Sequence, residues 1–256
     1  MTLQRRTQIA ELMQNEGALR VSELARRFGV SQVTIRNDLM QLEREGHLVR
    51  DRGGALPPPD SGPIISSLLE FEARTLLGIE EKARIGIAAS KMVTSGDTIL
   101  LDAGTTVVEM ARHLSGISPL TVVTNALNVA YHVGTTTNAQ LLVLGGTFYR
   151  EAASMLGPLT ERGLSDFVVS KLFLGAQAFD LEHGLTDTTL EIAGVKRAMI
   201  RSARQVILMA DSSKFGRSGF IKVAPFSEID VFITDTGLAD EAREGLEGLD
   251  VEVILV

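Results

Sequence analysis

The sequence contains no cysteine among its 256 residues. A disulfide framework and a thiolate metal site are therefore both excluded. No run of about 18 apolar residues occurs, so no membrane-spanning helix is expected. The opening MTLQRRTQIAELMQNEG lacks the apolar centre of a secretory signal, and a cytoplasmic protein is the expectation. The four histidines, His47, His113, His132 and His183, stand at no metal-ligand spacing, so no metal site and no cofactor are expected. Lysine is missing from the whole stretch before Lys82.

The net charge of −7 argues against a nucleic-acid partner until its distribution is considered. Residues 1–60 carry nine arginines and eight acids, a net +1, whereas the remainder carries 16 bases and 24 acids, a net −8. Every base in the first part is an arginine, whose planar fork suits phosphates and guanine edges better than a lysine does. The acidity thus belongs to the larger part of the chain and leaves room for a small DNA-binding head. At 45% apolar the chain can bury a real core, in one large domain or two smaller ones.

In the head, residues 3–17 have the periodicity of an amphipathic helix with Ile9, Leu12 and Met13 on one face and Gly17 as its stop. Ser22 and Glu23 start a second predicted helix, with Leu24, Ala25 and Phe28 inward and Gly29 at its end. Ser31 is a good N-cap for a third, in which Ile35, Leu39 and Leu42 form the buried stripe at i, i+4 and i+7. Its other stripe is Val33, Arg36, Asn37 and Met40. Gly46 ends it, and HLVRDRGGA has the strand-turn character of a small β wing. Two short helices joined through FGVS, with a polar stripe at the start of the second, make a helix-turn-helix pattern. In that pattern Ser31, Gln32, Val33 and Thr34 come near base edges. Arg36 suits guanine, Asn37 suits adenine, and Val33 suits a thymine methyl. Arg50 and Arg52 in the wing would lie against phosphates, which set register without reading sequence. The same pattern also fits a three-helix protein-binding domain with a solvated arginine face.

LPPPDSGP at 56–63 is a semi-rigid spacer. Helical periodicity follows, first as a connecting segment and then, from about Glu80, as the opening of the body. Beyond it apolar strands alternate with helices: DTILLD, LTVVTN, AQLLVLGG, VVSKLFLGA, QVILMAD, DVFITD and VEVILV are strands. This order predicts an α/β domain with a mostly parallel sheet, whose ligands bind beyond the carboxyl ends of the strands. Polar residues and glycines collect at those ends. They are Asp102, Gly104, Thr105 and Thr106 in DAGTT, Thr124 and Asn125, Gly145 and Gly146, and Asp211 with Lys214. Backbone amides and hydroxyls after Gly104 suit an anion. The pattern fits either a pocket for a small anionic ligand or a set of ordinary tight turns.

VSELARRFGVSQVTIRNDLMQLEREGHLVRDRGGA closely resembles the winged helix of DeoR-type bacterial transcription regulators, whose hallmark is VSxxTIRRDLxxLExxGxLxRxHGGA. Asn37 replaces the second arginine of that hallmark and Arg52 its histidine. LDAGTT, TN, LGG, FLGAQAFDLEHGLT, VKRAMI, ADSSKFG and IDVFITD resemble, in order, the effector domain of the same regulators. The resemblance implies a sheet domain similar to ribose-5-phosphate isomerase that senses a phosphorylated sugar or related metabolite. It puts the strand-end residues above at the effector pocket, with Asp180, Gly184 and Glu191 as neighbours.

The expected organisation is a winged helix-turn-helix at 1–57, a linker and connecting segment at 58–79, and an effector-sensing α/β domain at 80–256. The expected function is a repressor of a sugar-utilisation operon that binds double-stranded operator DNA and is released by the effector. It should act as a homo-oligomer, dimer or tetramer, because paired heads read two half-sites. No catalytic residues are assigned. An isomerase-like enzyme carrying a DNA-binding head, and an architectural DNA-binding protein without effector, are the competing functions.

Overall fold

The computed structural model describes residues 2–16, 19–44, 48–51, 54–56 and 78–256. The chain divides into two compact units between residues 77 and 78. Gly17, Gly46, Arg52, Gly53 and most of the expected linker lie outside the described residues.

The first unit contains α1 (Thr2–Glu16), β1 (Leu19–Arg20), α2 (Val21–Phe28), α3 (Gln32–Arg44), β2 (Val49–Asp51) and β3 (Gly54–Leu56). Ile9, Met13, Leu24, Ile35, Leu39 and Leu42 meet in its core, joined by Leu19 and Ala55 from the small sheet and by Leu48 just before β2. Leu12, Ala25 and Phe28 are half-buried against it. The wing pairs antiparallel in the order β1-β3-β2, with Arg50 opposite Ala55 and Leu19 opposite Ala55 on the other side. α2 begins at Val21 rather than at Ser22, and no side chain caps it. Its start is set by β1, which pairs into the sheet and feeds the helix directly.

The helix-on-helix packing has a polar pin that the apolar pattern does not announce. Asp38 is buried on the same side of α3 as Ile35 and Leu42 and receives Arg5 Nε at 2.6 Å and Arg6 Nε at 3.1 Å, both from α1.

The second unit runs α4 (Ile79–Ser90), β4 (Thr98–Leu101), α5 (Thr105–Ala111), β5 (Thr121–Thr124), α6 (Leu127–Thr136), β6 (Gln140–Val143), β7 (Thr147–Tyr149), β8 (Ser154–Leu156), α7 (Pro158–Leu164), β9 (Lys171–Gly175), β10 (Ala178–Asp180) and β11 (Gly184–Asp187). It continues with α8 (Leu190–Arg201), β12 (Val206–Met209), β13 (Ile221–Ala224), β14 (Val231–Thr234), α9 (Asp240–Glu247) and β15 (Glu252–Leu255). Seven strands form one sheet in the order β15-β14-β12-β9-β4-β5-β6, and all its pairings are parallel.

Alternate residues of each strand enter different cores. Ile99, Leu101, Phe173, Ile207 and Met209 pack with α4, α5 and α6 on one face. Leu100, Leu172, Leu174, Leu208 and Phe232 pack with α7, α8 and α9 on the other. With both faces covered, a central strand such as β12 (Val206–Met209) is apolar and buried at every position, and burying each such side chain contributes roughly 1.5–3 kcal/mol.

Two features go beyond the expected alternation. β10, β11 and β13 form a separate antiparallel sheet, and β7 and β8 form a hairpin. The sheet order also fixes a switch point. From β4 the chain moves outward through β5 to β6, then returns to the other side of β4 with β9. The crevice at the carboxyl ends of β4 and β9 is where such sheets take ligands.

Candidate functional site

In the head, Gly29 closes α2 in the left-handed conformation at φ 62°. Ser31 then caps α3: its Oγ accepts the Thr34 amide at 3.1 Å, and its carbonyl accepts the Ile35 amide at 3.1 Å. Its hydroxyl also lies 2.9 Å from that of Thr34. Ser31, Gln32, Val33, Arg36 and Asn37 are exposed and Thr34 is half-buried. Arg36 Nη2 donates to the Gln32 side-chain Oε1 at 3.4 Å, one helical turn back. An exposed apolar residue between polar ones, Val33 at 61% exposure, stands at the helix start. Arg50 lies on β2 in the wing, and Arg52 is outside the described residues.

At the switch point of the body, Asp102 follows β4 and Gly175 ends β9. The buried Asp102 carboxylate accepts the Gly175 amide at 3.0 Å. Lys196, buried on α8, reaches the same place. Its Nζ donates to the Gly175 carbonyl at 2.9 Å and to Asp187 Oδ2 at 2.8 Å, and lies 3.8 Å from Asp102 Oδ2. One ammonium thus lies between two buried carboxylates. Burial pushes the Asp102 carboxyl above its ordinary 3.8, and Lys196 and the Ala103 and Gly175 amides only partly offset it. Beside this cluster the chain turns through Gly104 into α5, where Thr105 is half-buried and Thr106 buried.

The other strand ends divide by role. The Thr124 hydroxyl donates to the Leu101 carbonyl at 2.8 Å and accepts the Ala126 amide at 3.1 Å, so both its functions serve the backbone. Asn125 donates its side-chain amide to the Met155 carbonyl at 2.8 Å, tying the β7–β8 hairpin to the end of β5. Among the described residues its buried Oδ1 has no partner, and neither does the buried Ser154 Oγ. Gly145 is exposed, and its carbonyl accepts the Thr160 hydroxyl at 2.8 Å. At Gly146 the backbone passes so close to the Thr160 hydroxyl and the Leu156 carbonyl that a Cβ has no room.

Asp211 accepts the Ser213 amide at 3.2 Å and its hydroxyl, which opens the loop that carries Lys214. Asp235, at the end of β14, holds the same loop through the Ser212 amide at 2.7 Å and hydroxyl at 2.8 Å. Although burial acts to raise it, these bonds and the Gly237 amide hold the Asp235 carboxyl below its ordinary value.

Asp180 is the pin of the β10–β11 turn. It accepts the Glu182 amide at 2.9 Å, the His183 amide at 2.6 Å and the Ser218 hydroxyl at 2.6 Å. These donors and the His183 imidazole outweigh its burial and hold its carboxyl low. Ser218 belongs to the Lys214 loop, so Asp180 and Lys214 are brought to one region. Gly184, opposite Asp180 in that turn, has φ 72°, and the Ala224 carbonyl occupies the space a Cβ would need. Glu191 is exposed in the first turn of α8, where its charge suits the helix start.

A profile described as the DeoR-like helix-turn-helix domain matches residues 5–58. One described as the DeoR C terminal sensor domain matches residues 78–236. The chain belongs to the DeoR family. Among its relatives is a putative aga operon transcriptional repressor of Escherichia coli O157:H7, 36% identical over all of this chain and 94% of that protein. An uncharacterized HTH-type transcriptional regulator of Bacillus subtilis (strain 168), YulB, is 37% identical over all of this chain and 97% of its own length. A solved ribose 5-phosphate isomerase A from Methanocaldococcus jannaschii covers 54% of this chain and 54% of its own, at 15% identity and a TM-score of 0.40.

As a DeoR-family member the protein is a DNA-binding transcriptional regulator with a sensor domain. Within that sensor domain, Lys196, Asp187, Gly175 and Asp235 escaped the sequence reading. For Lys196 a signal existed. It lies three residues after the buried Ala193 and four before the buried Ile200, a charge on an apolar helical stripe. Among the described residues no helix is long and apolar enough to cross a membrane.

Proposed function

We propose that this DeoR-family regulator represses a sugar-utilisation operon and leaves its operator when a phosphorylated sugar, or a similar small anion, binds at the switch point of the sensor sheet. The observation that carries the reading is the Asp102–Lys196–Asp187 cluster beside the Gly104–Thr106 turn. A buried charge constellation at the crevice of a parallel sheet is costly to keep and is where perturbed groups serve ligands. The turn offers amides and two threonine hydroxyls to an anion, and the carboxylates suit sugar hydroxyls. The aga operon repressor named above supports the choice of operon class. Binding without turnover is the role given to the site, and incubation with aldose and ketose phosphates should yield no isomerised product.

Thr105→Asp tests the site. It adds a carboxylate where the turn invites an anion, so repulsion should exclude a phosphorylated ligand. Effector and operator binding are reciprocal, each weakening the other by one factor. The variant should therefore bind operator like the parent and ignore the metabolite that releases the parent. A ligand present at about 100 times its Kd should stabilise the parent by about 2.7 kcal/mol and leave Thr105→Asp unshifted in a thermal melt. Release of the variant at the parent's effector concentration would remove the turn from the site.

On the DNA side, Arg36 and Asn37 read base edges beside Val33, with Ser31, Gln32 and Thr34 at the helix start. Arg50 and Arg52 hold phosphates. Arg36→Ala should weaken operator binding by about 1–3 kcal/mol and relax specificity. Kd measured against salt on operator and on random DNA is the check. An equal loss on both would make Arg36 a phosphate anchor only. The regulator acts on chromosomal DNA in the cytoplasm, as a homo-oligomer whose paired heads read two half-sites.

A further inference from the structure

Residues 113–160 carry one arginine and one glutamate, Arg150 and Glu151, in a chain that is 22% charged. In the fold this charge-poor stretch surrounds β6, the last strand of the seven-stranded sheet. The amides of Gln140 and Leu144 donate to the Leu120 and Thr124 carbonyls on the β5 side. The alternate residues Leu141 and Val143 therefore turn their backbone groups to the other edge, which pairs with no further strand among the described residues. Large exposed apolar side chains lie on β6 and on the elements that precede and follow it in the chain. Leu127 and Tyr131, one turn apart on α6, are 40% and 75% exposed, and Val143 on β6 is 48% exposed. Phe148 on β7 is 50% exposed, and Leu159 on α7, whose side chain lies beside Gly145, is 59% exposed. An open strand edge with apolar flanks is a template for another strand.

We propose that this face, the β6 edge with Leu127, Tyr131, Val143, Phe148 and Leu159, pairs with the same face of a second copy. The inference rests on the reading of the chain as a paired regulator and names the surface that pairs it. Charge selects the occupant. Residues 61–256 carry a net −8, so two sensor domains repel each other wherever their ordinary surfaces meet. A face without net charge is where they can approach. A nucleic acid or an anionic lipid surface would need a basic patch, and Arg150 is the only lysine or arginine in the stretch. Depletion of charge with tyrosine and phenylalanine retained is also the composition of an interface core. A two-fold axis brings β6 against its own copy antiparallel, which gives the open amides and carbonyls their partners.

The absence of cysteine makes the test clean. Val143→Cys and Leu249→Cys each place a single thiol in the full-length chain. Leu249 is 45% exposed, just beyond α9, the helix that packs on the opposite edge strand β15. A flexible bis-maleimide should convert Val143→Cys into a covalent dimer and leave Leu249→Cys as single chains. The double variant Tyr131→Asp, Phe148→Asp should halve the mass found by sedimentation equilibrium at micromolar concentration while its far-UV circular dichroism stays that of the parent. Its affinity for a full operator should fall at least tenfold, with binding to one half-site unchanged. Cross-linking at Leu249 but not at Val143, or a folded double variant of unchanged mass, overturns the proposed face. If the double variant does not fold, the cysteine pair decides. A parent that is monomeric both free and on operator defeats the paired reading itself.

Discussion

Asp38→Ala should cost the head about 3 kcal/mol and most of its operator binding. The Asp38 carboxylate is 2% exposed and takes Arg5 at 2.6 Å and Arg6 at 3.1 Å, so it pins α1 across α3 with two charge-assisted bonds. Removing one partner of a buried pair strands the other charge, which costs about 3–5 kcal/mol. The lower end applies because the Arg6 side chain is 28% exposed and can turn to water, whereas Arg5, at 13%, has less freedom. A three-helix unit of this size has a small core and little stability to spare. A loss of this size therefore leaves much of the head population unfolded or with α3 loosened, although Asp38 points away from the DNA-reading stripe. Arg36→Ala, by contrast, leaves the fold intact. Urea unfolding of the full chain followed at head resonances, with Kd for the operator on the same samples, is the check. A head that keeps its midpoint would make the Asp38 bonds surface ornaments of no energetic weight.

Lys196→Met should destabilise the sensor domain by about 3–5 kcal/mol at neutral pH, and by more as pH rises. Methionine fills the same space but leaves Asp102 and Asp187 facing each other without the ammonium. The Asp102 carboxyl is already raised above 3.8 by burial, with Lys196 as the largest opposing influence. A carboxyl whose folded value is raised holds its proton more tightly in the folded state. Its ionisation therefore lowers stability as pH climbs from the ordinary carboxylate range through the raised value. Without Lys196 that value rises further, so the unfavourable window widens upward. The deficit relative to the parent should be smaller at pH 5 than at pH 8, because lower pH favours the uncharged form of the raised Asp102 carboxyl. Denaturation midpoints of parent and variant at both pH values give the difference directly, other groups cancelling. A deficit that shrinks toward pH 8 would show that Lys196 does not compensate Asp102.

These two residues also mark the limit of what the pattern of the chain reveals. Asp38 and Lys196 both fall on the buried stripe of a helix, at positions where periodicity asks for an apolar side chain. Each is buried because residues far along the chain meet it: Arg5 and Arg6 from α1, Asp187 from β11 and Asp102 from the end of β4. Periodicity reports that a side chain faces inward, but not what waits there. Gly194 is a milder case. It lowers helix propensity by up to about 1 kcal/mol relative to alanine, yet the Glu161 carboxylate of α7 lies close to where its Cβ would be. Position 194 therefore also belongs to a contact between two helices.

The sequence by itself determined the elements and their order. The 3.6-residue repeat of Ile35, Leu39 and Leu42, the Ser31 cap, and seven apolar runs alternating with helices are local properties, set by side-chain geometry within a few residues. They sufficed for the head and the parallel sheet. The hairpin β7–β8 and the separate sheet of β10, β11 and β13 were not legible, because these short strands lack the continuous apolar runs that mark the main sheet. Only the tertiary structure decided the strand order, and with it the switch point between β4 and β9. It also separated Asp102, whose carboxylate meets Gly175 and Lys196, from Thr124, whose hydroxyl is spent on the backbone. The reason is that neighbours in a parallel sheet are paired across long crossovers. Which polar strand ends converge is then a question of packing on two faces, and no local pattern carries that information.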